Sequence, residues 1–261
     1  MVKPLHSIAA RLLAVLLLFG FGSLAIAQEV KPPVKDPLAA VAEVKKVADA
    51  GASDATEALK RGDTSWMLTS SALVMLMVPG LALFYGGMVR SKNVLATMMQ
   101  SMAALAIVGL YWLGAGYALA FGPSLISIMD GGFVGWSSDL VFLRGIEAST
   151  YLPGTNIPIY VHVMFQGMFA IITPALISGA LAERIRFWPF CLFMILWVTF
   201  VYCPLAHMVW AYDWFYLDPL DVKKGLGKTA IGLLGKMGVL DFAGGTVVHI
   251  AAGTAGLACA P

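Results

Sequence analysis

The sequence predicts an all-α polytopic membrane protein with five transmembrane helices, and three observations carry that prediction. Hydrophobic residues fill 59% of the 261 positions, charged residues only 12%, and mean hydropathy is +0.82. A soluble domain carries about 25% charge and must cover itself with polar groups, so the apolar surplus here faces lipid. Charges are also segregated: fifteen of the thirty-two Lys, Arg, Asp and Glu residues precede Thr64, and five long charge-free windows follow. Lastly, the windows lack the short alternating segments of a β-barrel, and only helices or closed barrels satisfy their backbone in lipid. The net charge of +2 is scattered over loops and ends without forming a patch, which argues against a nucleic-acid partner.

Residues 1–27 read as a signal peptide. Lys3, His6 and Arg11 precede the apolar core Leu12 to Leu18, and the small-residue triplet Ala25-Ile26-Ala27 marks a cleavage point. The rival reading, an extra span, is weakened by Gly20, Gly22 and Ser23 and by shortness against the ~20 residues a crossing needs. Residues 28–63 follow as a polar extracytoplasmic extension. Its Pro-rich start and loose helical period at Leu38, Val41, Val44 and Val47 suggest a mobile segment with at most one short surface helix.

The membrane domain occupies residues 64–261, with spans expected at about 66–89, 96–122, 157–182, 187–210 and 242–261. Each window fits one helix of ~20 residues across ~30 Å of hydrocarbon and is too short for two. Arg90 and Lys92 in the first link, with Arg184 and Arg186 in the third, place both in the cytoplasm and the N-terminus outside. The second link, Asp130 to Glu147, is acidic and fits the outside. The fourth fits less well, because Lys223, Lys224, Lys228 and Lys236 share that side. Five spans then bring the C-terminal end inside, where Ala258-Cys259-Ala260-Pro261 offers no basic or aromatic anchor, so the chain reads as truncated within its fifth helix.

Ionisable groups at membrane depth are costly and are functional candidates by default; here these are His162, His207, His249 and Asp241. His249 sits near mid-membrane among small residues, where a neutral imidazole can line a pore or hydrogen-bond a neighbouring helix for packing. Asp241 precedes Phe242-Ala243-Gly244-Gly245 as a natural helix N-cap, and its charge also attracts cations at an outer mouth. Phe165, Phe169 and His162 share one helix face, either as core or as the wall of a cage. Trp210 closes the fourth span as a belt anchor or as a ring face for a small cation. Cys191, Cys203 and Cys259 lie in apolar windows without metal-ligand spacing and read as buried thiols.

Several runs, in order, resemble the ammonium transporter family: Pro79-Gly80-Leu81-Ala82-Leu83-Phe84-Tyr85-Gly86-Gly87 with Arg90-Ser91-Lys92-Asn93, Phe165-Gln166-Gly167, Gly179-Ala180-Leu181-Ala182-Glu183-Arg184, Ala206-His207-Met208-Val209-Trp210, and Asp241-Phe242-Ala243-Gly244-Gly245-Thr246-Val247-Val248-His249. The resemblance covers Ser65 to Pro261. It implies an eleven-helix pore built from two inverted five-helix repeats, of which this chain would be the first. It further implies a homotrimer in the inner (plasma) membrane, ammonium, ammonia and methylammonium as substrates, a cytoplasmic P-II-type regulatory trimer as partner, and no cofactor or enzymatic activity. Trp210 and Phe169, supported by Asp241, would recruit ammonium at the outer face. Phe165 and Phe169 would form the gate, and His249 would be the first of two pore histidines, the second lying beyond Pro261. The run Ala211-Tyr212-Asp213-Trp214-Phe215-Tyr216, the Lys-rich insert and the extension depart from the family pattern and bear on the vestibule, not the pore.

Two alternatives compete. One is a Rhesus-type gas channel or an ammonium sensor on the same scaffold, with Trp210 arguing against the Rhesus type. The remote one is an intramembrane serine hydrolase using Ser178 and His249, which lacks a glycine two residues before the serine.

Overall fold

The computed structural model describes residues 37–213 and 229–260. The expected signal peptide and most of the Lys-rich insert lie outside the described residues. Two compact units divide the chain, Met1–Ala55 and Thr56–Pro261. In the first, every described residue is helical and nearly all are exposed. This is more helix than the extension's sequence suggested, since α1 begins at Pro37 and runs to Met88. The local reason is composition: Ala, Glu and Lys are strong helix formers, and proline suits a first helical position.

The second unit contains the remaining elements. The chain continues through a 3-10 turn (Ser91–Asn93), α2 (Val94–Tyr111), a π-helical turn (Trp112–Gly116) and α3 (Tyr117–Phe121). A hairpin of β1 (Ser124–Ile128) and β2 (Gly131–Gly135) follows, then a 3-10 segment (Ser138–Leu143) and α4 (Ile159–Ile177). The rest is α5 (Phe187–Trp197), a π-helical turn (Val198–Tyr202), α6 (Cys203–Trp210), the short α7 (Leu233–Lys236), a π-helical turn (Gly245–Ile250) and α8 (Ala251–Cys259).

Among the described residues, four stretches are long and apolar enough to cross a membrane: Leu38–Met88, Ser91–Phe121, Ile159–Ile177 and Phe187–Trp210. The fifth apolar helix, Gly245–Cys259, is shorter. The third window was expected to be helical to residue 182, but α4 stops at Ile177 and the chain turns through Glu183, whose φ is +65°.

That turn has a definite anchor. Glu183 Oε1 accepts from the Arg90 backbone N–H and from Asn93 Nδ2, each at 2.9 Å, while Oε2 pairs with Arg90 Nη2 at 2.7 Å. The first and third links therefore meet at one end of the bundle. At the other end the hairpin meets the fourth link: Gly132 N–H donates to the Ile231 carbonyl at 2.8 Å, and Lys236 Nζ donates to the Asp130 carbonyl.

The core is aromatic at its centre. Trp112, 2% exposed, packs edge-on against Tyr117, Phe121 and Tyr202 with centroids 5.8, 6.3 and 6.2 Å apart, and its indole Nε1 donates to the Val163 carbonyl of α4 at 3.0 Å. The indole fits because position 167 is glycine, where a Cβ would lie 2.9 Å from Trp112 Cδ1.

Candidate functional site

The spacing of α4 sets the site's first wall. His162, Phe165, Gln166 and Phe169 fall three and four residues apart, so they share one face, and all four line a cavity of about 230 Å³. Phe121 at the end of α3, Trp210 at the end of α6, Tyr212, and Asp241 to Gly244 close the other sides. The structure thus brings together Phe165, Phe169, Trp210 and Asp241, which are 31 to 76 positions apart between α4, α6 and the last helix. The Phe165 and Phe169 rings meet edge-on, centroids 5.0 Å apart at 76°, a favourable arrangement for aromatic pairs.

Trp210 is held from behind. Its Nε1 donates to the backbone carbonyl of Asp241 at 2.9 Å, which fixes the half-buried indole in the cavity wall. The Asp241 carboxylate turns the other way: Oδ1 accepts from the Gly245 N–H at 2.7 Å, and Oδ2 from Thr246 at 2.9 Å and Val247 at 3.0 Å. Three otherwise unpaired N–H groups at a helix start are satisfied by one side chain, and the negative charge meets the positive end of the helix dipole. Asp241 therefore builds the site through its backbone carbonyl while its side chain caps.

Gly244 makes this turn possible. Its φ is +76°, a region L side chains rarely occupy, and a Cβ there would lie 2.8 Å from Val248 Cγ2. The chain can double back from Asp241 into the helix only through such a residue.

His249 stands apart from the cavity. It is exposed on the surface of this chain, with Nδ1 3.2 Å from the Gly244 carbonyl. His162 is the histidine in the cavity wall, buried, with Nδ1 3.0 Å from Tyr117 Oη and its ring edge-on to Phe121 at 5.0 Å. His207 is structural: Nδ1 is 3.0 Å from the Ala120 carbonyl and Nε2 3.0 Å from Ser124 Oγ, and the glycine at 135 lets the hairpin lie against its ring.

Six wall residues carried no site assignment in the sequence reading: Phe121, Gln166, Tyr212, Phe242, Ala243 and Gly244. Gln166 was legible within the run Phe165-Gln166-Gly167, because an amide in an apolar helix face needs a partner. Its Oε1 is buried, lines the cavity side of α4 and has no hydrogen-bond partner among the described residues. Phe121 had no such signal, since one phenylalanine in an apolar window looks like any other. Ser178, the nucleophile of the hydrolase alternative, has its hydroxyl engaged by the Ala175 carbonyl at 2.7 Å and by Ser101 Oγ at 3.2 Å.

A bundle of apolar, membrane-length helices surrounding an aromatic cavity with a buried amide defines a polytopic helical membrane protein with a site shaped for something small. The profile described as Ammonium Transporter Family matches residues 65–261, and the chain belongs to that family. An ammonium transporter of Bacillus subtilis is 45% identical over 202 residues, covering 77% of this chain and 44% of that protein. The crystal structure of Saccharomyces cerevisiae Mep2 superposes with a TM-score of 0.59 at 35% identity, over 74% of this chain and 38% of its own. A solved structure described as a sensor Amt protein matches with a TM-score of 0.59 at 25% identity, over 74% and 42%. The chain spans less than half the length of the curated relatives it matches.

Proposed function

We propose that the complete protein is an ammonium transporter that captures ammonium between Trp210 and Phe169 and conducts ammonia, with separate handling of the proton, past Phe165 and Phe169 into a pore containing His249. The observation that carries this reading is the cavity itself, in which a hydrogen-bonded indole and an edge-on phenylalanine pair line one volume of about 230 Å³. A ring face holds a small cation with ~0.5–2 kcal/mol, yet burying an unpaired charge deeper in an apolar passage costs far more. Giving up a proton is the cheaper route inward. Ammonium and methylammonium have a proton to give, whereas potassium, of similar size, has none.

The same reading takes the chain as the first of two inverted repeats in an eleven-helix subunit of a homotrimer, in the inner membrane with the N-terminus outside. It takes a P-II-type trimer as the cytoplasmic regulatory partner. Support for the orientation comes from the pairing of links: Arg90 and Glu183 join the first and third at one end, which also carries Lys92, Arg184 and Arg186.

The test is a methylammonium uptake curve for the full-length protein and for Trp210→Leu and Trp210→Phe. Leucine keeps apolar bulk without a ring face, so half-saturation should rise at least severalfold and discrimination against potassium should fall. Phenylalanine keeps a ring but loses the bond to the Asp241 carbonyl and should fall between the two. Curves for Trp210→Leu that overlay the wild type would return Trp210 to the role of an interface anchor.

A further inference from the structure

The aromatic cavity has a polar group in its wall that the chain leaves without a partner. Gln166 stands on the same face of α4 as His162, Phe165 and Phe169 and lines the cavity with them. Its Oε1 is buried and accepts no hydrogen bond among the described residues. Asp241 and His162, on the same walls, are committed. The Asp241 carboxylate accepts from three backbone N–H groups and its carbonyl from the Trp210 indole, while His162 Nδ1 lies 3.0 Å from Tyr117 Oη.

An orphaned acceptor in an apolar wall destabilises the fold, because the amide loses its water without gaining a bond. Such a group calls for a partner that arrives from outside the chain. The rings around it attract a cation through their quadrupoles, but they do not replace the directional hydrogen bonds that an N–H group makes with water. An amide oxygen does, and a hydrogen bond from a charged donor is roughly twice as strong as a neutral one.

We propose that Gln166 is a capture and specificity residue of this cavity, its Oε1 accepting a hydrogen bond from an N–H of the ammonium or methylammonium ion. The rings hold the charge and the amide selects for an N–H donor. A cation without N–H groups, such as tetramethylammonium, leaves Oε1 unpaired and is disfavoured for that reason. The assignment rests on the reading of the cavity as the ammonium capture site, and the experiment separates the two.

The experiment compares the full-length wild type with Gln166→Met, Gln166→Glu and Trp210→Leu. Ammonium current is recorded in proteoliposomes, and the thermal midpoint is taken in detergent without added ligand, with ammonium chloride and with tetramethylammonium chloride. Methionine keeps length and bulk without the acceptor, so ammonium half-saturation should rise about tenfold. The ligand-free midpoint should rise as well, because an unpaired buried acceptor has been removed. A scaffold role for the amide predicts the opposite sign. Ammonium chloride should stabilise the wild type more than it stabilises Gln166→Met, and more than tetramethylammonium chloride does. Glutamate keeps an acceptor at the same reach and should hold half-saturation at or below the wild-type value. Wild-type half-saturation in Gln166→Met overturns the proposal, as does a lowered ligand-free midpoint or equal stabilisation of the wild type by the two salts. If Gln166→Met behaves as wild type while Trp210→Leu is impaired, the aromatic reading stands without the amide. If both variants behave as wild type, the aromatic reading falls and this assignment falls with it.

Discussion

Gly244 shows how much of the site rests on one backbone angle. Its φ of +76° reverses the chain between Asp241 and the last helix, and Gly245, its neighbour, has no such constraint, a Cβ there meeting only Asp241 Oδ1 at 3.9 Å. Alanine in a left-handed conformation costs about 1–2 kcal/mol, and the clash with Val248 Cγ2 adds to it. Gly244→Ala should therefore lower the thermal midpoint in detergent, whereas Gly245→Ala should leave it near wild type; equal midpoints for both variants would remove Gly244 from this role. Because the Asp241 carbonyl that orients Trp210 sits three residues earlier, Gly244→Ala should also weaken substrate capture without touching an aromatic ring. At this scale the sequence was informative about residue type and silent about direction. Asp241 could be read as a cap and as an attractant, and only the geometry shows its carboxylate committed to three backbone N–H groups while its carbonyl serves the indole. Phe121 was invisible because nothing distinguishes a cavity-lining phenylalanine from a core one until helices are placed side by side.

Among the elements, helices were legible from charge-free length, and their ends and interruptions were not. The π-helical turns at Trp112–Gly116, Val198–Tyr202 and Gly245–Ile250 leave no mark on an apolar window, since the extra residue per turn is a response to packing. The hairpin was equally hidden: Ser124–Ile128 follows the second expected span, 96–122, and Gly131–Gly135 lies in the link read only as acidic, and the glycines of β2 make sense only once His207 lies against them. The link through Glu183 was legible as basic and polar, but its clamp joins residues some ninety positions apart. Hydrogen bonds from the Arg90 side chain, from Asn93 and from the Arg90 backbone hold the Glu183 carboxyl well below the usual carboxylate range, down to about 2. A carboxyl depressed in the folded state stabilises the fold above its unfolded value of ~4.3, and loses that contribution as pH falls towards 2. Wild type and Glu183→Gln should accordingly differ in thermal midpoint at pH 7 and converge between about pH 4.5 and 2. Parallel midpoint curves through that range would show that the clamp adds no pH-dependent stability.

Across the whole molecule, the links sort themselves by end: Arg90 with Glu183 at one, Gly132 with Ile231 and Asp130 with Lys236 at the other. The aromatic cavity belongs to the second end, and the last helix starts from its wall at Asp241 and Gly244. His249 lies five positions beyond Gly244, ~7 Å further along that helix, and is exposed on this chain with Nδ1 against the Gly244 carbonyl. On the proposed reading, this imidazole, set back from the aromatic cavity, meets what leaves that cavity once the rest of the pore faces it in the complete protein. If His249 is a neutral member of a proton-relaying file, His249→Leu should abolish selective ammonium transport in the full-length protein while folding and assembly persist. His249→Asp should act differently, because an acid at that depth supplies a counter-charge that lets intact cations through and admits potassium. Ammonium and potassium currents recorded side by side for wild type and both variants decide between a relay and a packing role. Properly assembled His249→Leu that still transports ammonium at the wild-type rate would show that the imidazole only packs, and the proton-handling step would then have to be sought at His162, the histidine already in the cavity wall.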